Sequence, residues 1–191
     1  MPNLVDMLRE MLQDGRMVAV TNGETLLVES EPEAGLKTVC VDGVPAEAIV
    51  LRMDSTAVQR LIRSARGENR RCDFTLFLDD QGKQFLVHVE LKTGEHDAAG
   101  PQLLEKFRGT DSILDYCESI LWRFYGTPTA FKGYARRYVY MYKAPSISKM
   151  PTRTNPLPAN DDPERPLVLA VENFVKDDAK TKVPIRRFVC E

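Results

Sequence analysis

The chain lacks a CxxC pair. Its cysteines, Cys40, Cys72, Cys117 and Cys190, are scattered. That spacing excludes a cysteine-ligated zinc site and a vicinal redox pair, and four reduced thiols are expected of a cytoplasmic protein. No apolar run approaches the roughly 20 residues that cross a bilayer. The first residues, MPNLVDMLREML, mix acids into their apolar positions; a secretory signal has a basic start and an uninterrupted apolar core, so none is expected here. Positive charge is not in surplus: 26 Lys and Arg stand against 28 Asp and Glu, a net charge of -2. The long-range field that draws a basic protein to nucleic acid is therefore missing, and any phosphate-binding groove must be local. Histidine is scarce, at two residues, and tryptophan scarcer, at one. There is no internal repeat and no low-complexity tract.

What is present is the balance of a soluble globular protein. Hydrophobic residues make up 43% of 191 and charged residues 28%, enough for one domain spanning 1–191 with a packed core. Leu4, Met7, Leu8, Met11 and Leu12 recur at three- and four-residue spacing and predict a helix over 3–14. Residues 16–52 hold short β-like runs, MVAV, TLLVE, LKTVCV and AIVLRM, broken by Asn22-Gly23, Glu31-Pro32, Asp42-Gly43 and Pro45. A small meander is expected there. A second helix is predicted over 54–66, with Val58, Leu61 and Ile62 on one stripe and Arg60, Arg63 and Arg66 on another.

CDFTLFLDD and KQFLVHVELK flank Gln81-Gly82, which predicts an antiparallel hairpin. The strongest helix signal runs from about residue 98 to 124. Leu103, Phe107, Thr110, Leu114, Cys117, Leu121 and Phe124 form its stripe, widened by Leu104, Ile113 and Ile120. YARRYVYMYK, 134–143, reads as a strand. Residues 144–166 carry six of the twelve prolines and are expected to form an irregular loop. PLVLAVENF and VPIRRFV, within 167–191, suggest a closing hairpin. The expected class is α/β: a mixed central sheet flanked by helices, with an N-terminal helix, a short meander and a C-terminal hairpin.

The chemistry is concentrated in one segment. Alternation along the second hairpin strand puts His88, Glu90 and Lys92 on one face, and Val87, Val89 and Leu91 on the other. Asp73 lies on the preceding strand, where its carboxylate can approach Glu90. Two close carboxylates repel unless a cation or a proton lies between them. A hard divalent cation such as Mg2+ (or Mn2+) suits oxygen ligands. An ammonium from Lys92 beside it can orient water or neutralise a phosphate. These parts suit hydrolysis of a phosphodiester.

At Asp73, the sixteen residues that follow it, Glu90-Leu91-Lys92 and a helix carrying Gln102, the chain resembles the PD-(D/E)xK nuclease superfamily, with its restriction-endonuclease-like αβββαβ core. The match covers residues 54–143. More narrowly, the CD…VELK…QL pattern is similar to small stand-alone bacterial nuclease-like proteins. The resemblance implies a Mg2+-dependent DNA endonuclease in which Asp73, Glu90 and the Leu91 carbonyl hold the metal. Lys92 would position water or neutralise the phosphate, and Gln102 would support the site. Cys72 stands where the family usually has Pro. The additional acidic residue that many members carry on the first core helix has two candidates, Glu10 and Glu68.

The rival reading is a non-catalytic nucleic-acid- or protein-binding member of the same fold, such as an accessory subunit of a bacterial defence or mobile-element system. A homodimer is also compatible with this fold. Several residues have plainer roles available. His88 is expected to be a hydrogen-bonded cleft histidine, His96 a loop residue, Trp122 a packing residue and Lys106 a surface lysine. Arg70-Arg71, Arg136-Arg137 and the tyrosines at 134, 138, 140 and 142 can serve backbone contact and base stacking, or sheet packing.

Overall fold

A computed structural model describes residues 4–12, 15–29, 36–53, 69–92, 100–127, 130–143, 159–175 and 181–189. The helix expected over 54–66 lies outside them, as do His96, Glu68, Cys190 and most of the proline-rich stretch. In chain order the elements are α1 (Leu4–Met11), β1 (Met17–Val18), β2 (Val20–Thr21), β3 (Glu24–Val28), β4 (Thr38–Asp42) and β5 (Ile49–Arg52). They continue with β6 (Phe74–Asp80), β7 (Lys83–Lys92), α2 (Pro101–Tyr125), β8 (Ala135–Lys143), β9 (Leu167–Val171) and β10 (Lys182–Pro184), followed by a 3-10 turn at Ile185–Arg187.

The strands form two sheets. A six-stranded sheet has the order β1-β5-β6-β7-β8-β9, and a four-stranded sheet the order β10-β4-β3-β2. In the larger sheet β5, β6 and β7 are antiparallel neighbours. The chain then passes through α2 and returns as β8, parallel to β7, with β9 parallel to β8. The β6–β7 hairpin turns at Gln81 and Gly82, with φ of 54° and 82°. Positive φ at both central residues is the primed turn that matches strand twist, and Asp79 Oδ1 accepts from the Gly82 N–H at 2.9 Å.

Alternation along β7 divides the core in two. Phe85, Val87, Val89 and Leu91 face the smaller sheet, packing with Leu27, Val39 and Val41. Leu86 faces the helices, with Leu103, Phe107, Leu114 and Leu121 of α2 and with Met7 and Leu8 of α1. The α/β expectation holds, but the flanking differs from the sequence reading. Among the described residues helices cover one face of the large sheet, and the small sheet covers the other. The small sheet exists because the chain between β1 and β2 breaks at Ala19, so the MVAV run contributes to both sheets.

The expected closing hairpin is not formed. β9 extends the large sheet, whereas β10 pairs in parallel with β4 of the small one. The crossing is held by Asn173, whose Oδ1 accepts from the Lys37 amide at 2.6 Å, and by the Phe174 amide donating to the Thr38 carbonyl at 2.8 Å. Two apolar runs near in sequence resemble a hairpin until their partners are known. Here each run found a longer edge elsewhere.

α2 begins with Pro101 at a position whose amide needs no helical partner. It ends at Gly126 in the left-handed region, whose amide donates to the Trp122 carbonyl. Its apolar stripe is buried as expected except at the end. Phe124 is 80% exposed, which corrects the expected stripe: a seven-residue spacing drifts around the helix before the last turn is reached. No described helix is long and apolar enough to cross a membrane.

Candidate active site

The register of β6 against β7 pairs Phe74 with Val89. One step further along both strands sets Asp73 opposite Glu90, on the face toward the helices. Backbone bonds fix this meeting: the Asp73 amide donates to the Val89 carbonyl at 3.1 Å, and the Asp73 carbonyl accepts from the Met53 amide at 2.8 Å. Asp73 Oδ2 then accepts from the Leu91 amide at 2.7 Å. The three residues named as metal ligands therefore adjoin one another.

Both carboxylates are buried, Glu90 completely and Asp73 to 9% exposure. Glu90 Oε1 is held by two ammonium groups, Lys92 Nζ at 3.2 Å and Lys106 Nζ in a direct hydrogen-bonded contact. Glu90 Oε2 is buried with no hydrogen-bond partner. Burial pushes the Asp73 carboxyl well above the usual carboxylate range, and the neighbouring Glu90 charge adds to the rise. Burial also raises Glu90, though Lys106 and Lys92 pull it back part of the way. For Lys92 burial favours the neutral form, but the facing charges of Glu90 and Asp73 win, and its pKa goes up.

The donor set can be tested against a cation. Among the described residues no cluster of three or more His, Cys, Asp or Glu side chains could hold a metal ion. The set here is two carboxylates and adjacent backbone, which suits an oxygen-seeking divalent ion that retains water and suits zinc poorly. The orphaned Glu90 Oε2 is a lone pair source without a partner in a buried place, where such an atom costs free energy. Carboxylate and carbonyl oxygens are the donor types that Mg2+ and Mn2+ take.

Gln102 is exposed in the first turn of α2 and makes no hydrogen bond to either carboxylate. One turn on, along the same stripe, Lys106 contacts Glu90 directly. Of the two places the sequence offers Lys106, the surface or the cleft side one turn beyond Gln102, the structure takes the cleft side. Thr110 seats that turn. Its hydroxyl donates to the Lys106 carbonyl at 2.9 Å and accepts from the Cys72 amide at 2.9 Å, next to Asp73. Burial pushes the Cys72 thiol up to about 12, so it is no nucleophile. Glu10 is exposed on α1 with no contact to the site.

His88 shares the Glu90 face and is fully buried. Its Nδ1 pairs with Thr75 Oγ1 at 3.0 Å and its Nε2 with Asp111 Oδ1 at 3.1 Å. Asp111 also takes a bond from the Tyr138 hydroxyl at 3.0 Å and an ion pair from Arg136 at 3.2 Å. The hydrogen-bonded role expected for His88 holds. Asp111, which ties α2 to β7 and β8, was not legible from the sequence.

The basic residues nearest the site already have partners. Arg70 pairs with Glu105 at 3.0 Å, and Arg136 with Asp115 at 2.8 Å as well as Asp111. Arg137 lies over the Phe85 ring. Tyr138 and Tyr140 are buried beneath α2, which removes them as stacking platforms. Trp122, expected to pack, is 56% exposed, with the Arg123 guanidinium 5.7 Å from its ring.

No family model, curated protein or solved structure matches this chain. The chemistry of the site rests on its own atoms.

Proposed function

We propose that the chain is a metal-dependent phosphodiester hydrolase of the PD-(D/E)xK type, with DNA as its substrate. One observation carries the reading: Asp73 and Glu90 face one another on adjacent strands, buried, with an unpartnered Glu90 oxygen and two lysines around them. The order of elements supports it. Three antiparallel strands, β5 to β7, are followed by a crossover helix and a parallel strand, β8, the order expected of a restriction-endonuclease-like core from its first strand onward.

Asp73 and Glu90 would hold the metal, with the Leu91 carbonyl at its side. The chemistry a divalent cation supplies when bound is polarisation of a phosphoryl oxygen and acidification of water. Lys92, at the open end of β7 and partly exposed, keeps its proton and presents a positive charge to the scissile phosphate. Cleavage of plasmid DNA in Mg2+ tests this. Glu90→Gln and Lys92→Met should each abolish cleavage with the fold intact by circular dichroism; wild-type rates in either variant refute the assignment.

A second reading has its own support. Glu90 is sealed by two lysines and the nearby arginines are engaged, the arrangement of a non-catalytic nucleic-acid- or protein-binding member of the fold, such as an accessory subunit of a bacterial defence or mobile-element system. Absence of cleavage in Mg2+ and Mn2+, with retained DNA or protein binding, would favour it.

A further inference from the structure

We propose that Lys106 is an internal counterion that occupies Glu90 in place of the divalent cation and must leave for that cation to bind. The inference rests on the metal-site reading above and adds the residue that regulates it.

The charge count comes first. Lys92 and Lys106 bring two positive charges to one oxygen of Glu90, beside Asp73. The carboxylates thus already have their counterions without a metal. A divalent cation added with both ammonium groups in place would stand against two like charges at close range, which a low-dielectric site disfavours strongly. One ammonium has to go.

Geometry selects which. Lys92 springs from β7 two residues beyond Glu90 on the same face, so its stem keeps it at the carboxylates. Lys106 reaches across from α2, a separate element, to meet Glu90. Its flexible four-carbon stem can turn outward along the first turns of α2 with no backbone change. Its departure would leave Oε1 with Lys92 as its remaining partner, beside the already unpartnered Oε2, and so open the carboxylate to a cation. The freed ammonium would then lie at the mouth of the cleft, where a phosphate enters.

Isothermal titration of Mg2+ into the full chain tests the proposal, with Lys106→Met, Lys106→Gln and Glu90→Gln beside the wild type. Removing a unit charge a few ångströms from the cation should tighten binding on the order of tenfold or more. Glu90→Gln should bind no Mg2+. Lys106→Met should also gain more thermal stability from Mg2+ than the wild type does, because its Glu90 has lost a partner. Lys106→Gln keeps a hydrogen-bond donor and stands in should the methionine variant fail to fold. A Lys106 whose contact positions Glu90 for the metal would instead give weaker binding when replaced. Equal or weaker Mg2+ affinity in the Lys106 variants overturns the counterion role, and if Glu90→Gln still abolishes wild-type binding, the metal site itself survives. Absence of Mg2+ binding in every protein overturns both.

Discussion

Asp73 and Glu90 carry opposite consequences for stability and for chemistry. A carboxyl whose pKa is raised by folding resists ionisation in the folded state. Its contribution is therefore most favourable where it is protonated, and stability falls as pH rises from the ordinary carboxylate range through the raised folded value. Both carboxyls are raised. The melting temperature of the cation-free protein should accordingly rise as pH is lowered from neutrality toward the ordinary carboxylate range, and Asp73→Asn should flatten that slope. Differential scanning calorimetry across pH in a chelating buffer reads both, and a variant with an unchanged slope would separate Asp73 from the effect. The alternation that placed His88, Glu90 and Lys92 on one face was legible in the sequence, because a strand has a period of two whatever it packs against. The partner of Glu90 was not: Lys106 is sixteen residues away and meets it only because α2 crosses the strand.

At the scale of the element, α2 shows how far a periodic stripe can be trusted. Leu103, Thr110, Cys117 and Phe124 recur every seven residues. An α-helix turns about 20° short of closure over seven residues. Across three such steps the set drifts about 60° around the helix, and burial follows: Leu103 and Thr110 are buried, Cys117 partly so, and Phe124 is exposed. Phe107, Leu114 and Leu121 form a second row with the same spacing, start nearer the middle of the buried face and stay buried throughout. Leu114→Ala should cost about 2 to 5 kcal/mol by urea denaturation, while Phe124→Ala should change stability by less than about 0.5 kcal/mol, as exposed substitutions do. Thr110 binds the helix to the β6 entry through its hydroxyl. Thr110→Val should lose about 1 kcal/mol and lower activity further by loosening Lys106 and Asp73 relative to each other.

Across the whole molecule, net charge and internal pairing together set the expectation for DNA. With a net charge of -2, and with Arg70 and Arg136 engaged by acids, few positive charges near the site among the described residues are left to meet phosphates. At about -0.9 per phosphate, a plot of log affinity against log salt should have a slope of roughly -2 to -5. Fluorescence anisotropy with a labelled duplex measures it, and a salt-independent affinity would point to the protein-binding alternative. The three-layer arrangement, helices, large sheet and small sheet, also explains the shielding of the site. Asp73 and Glu90 face the helical layer, where Lys106 of α2 covers Glu90.

Local signals decided much of this protein without help. Gln81-Gly82 made a hairpin because its residues tolerate positive φ, and the apolar stripe of α2 made a helix that had to bury one face. The same period-two pattern brought Asp73, Glu90 and Lys92 to one face. Outside that hairpin, tertiary structure decided which strands became neighbours. β9 and β10 look like a hairpin in sequence and lie in different sheets, because a strand's hydrogen-bonding edge accepts any chain of suitable length and local residues do not name the partner. It likewise decided that Lys106, not Gln102, meets Glu90: the choice depends on how α2 is rotated and seated over the sheet, which Thr110 and Asp111 hold through contacts with β6, β7 and β8.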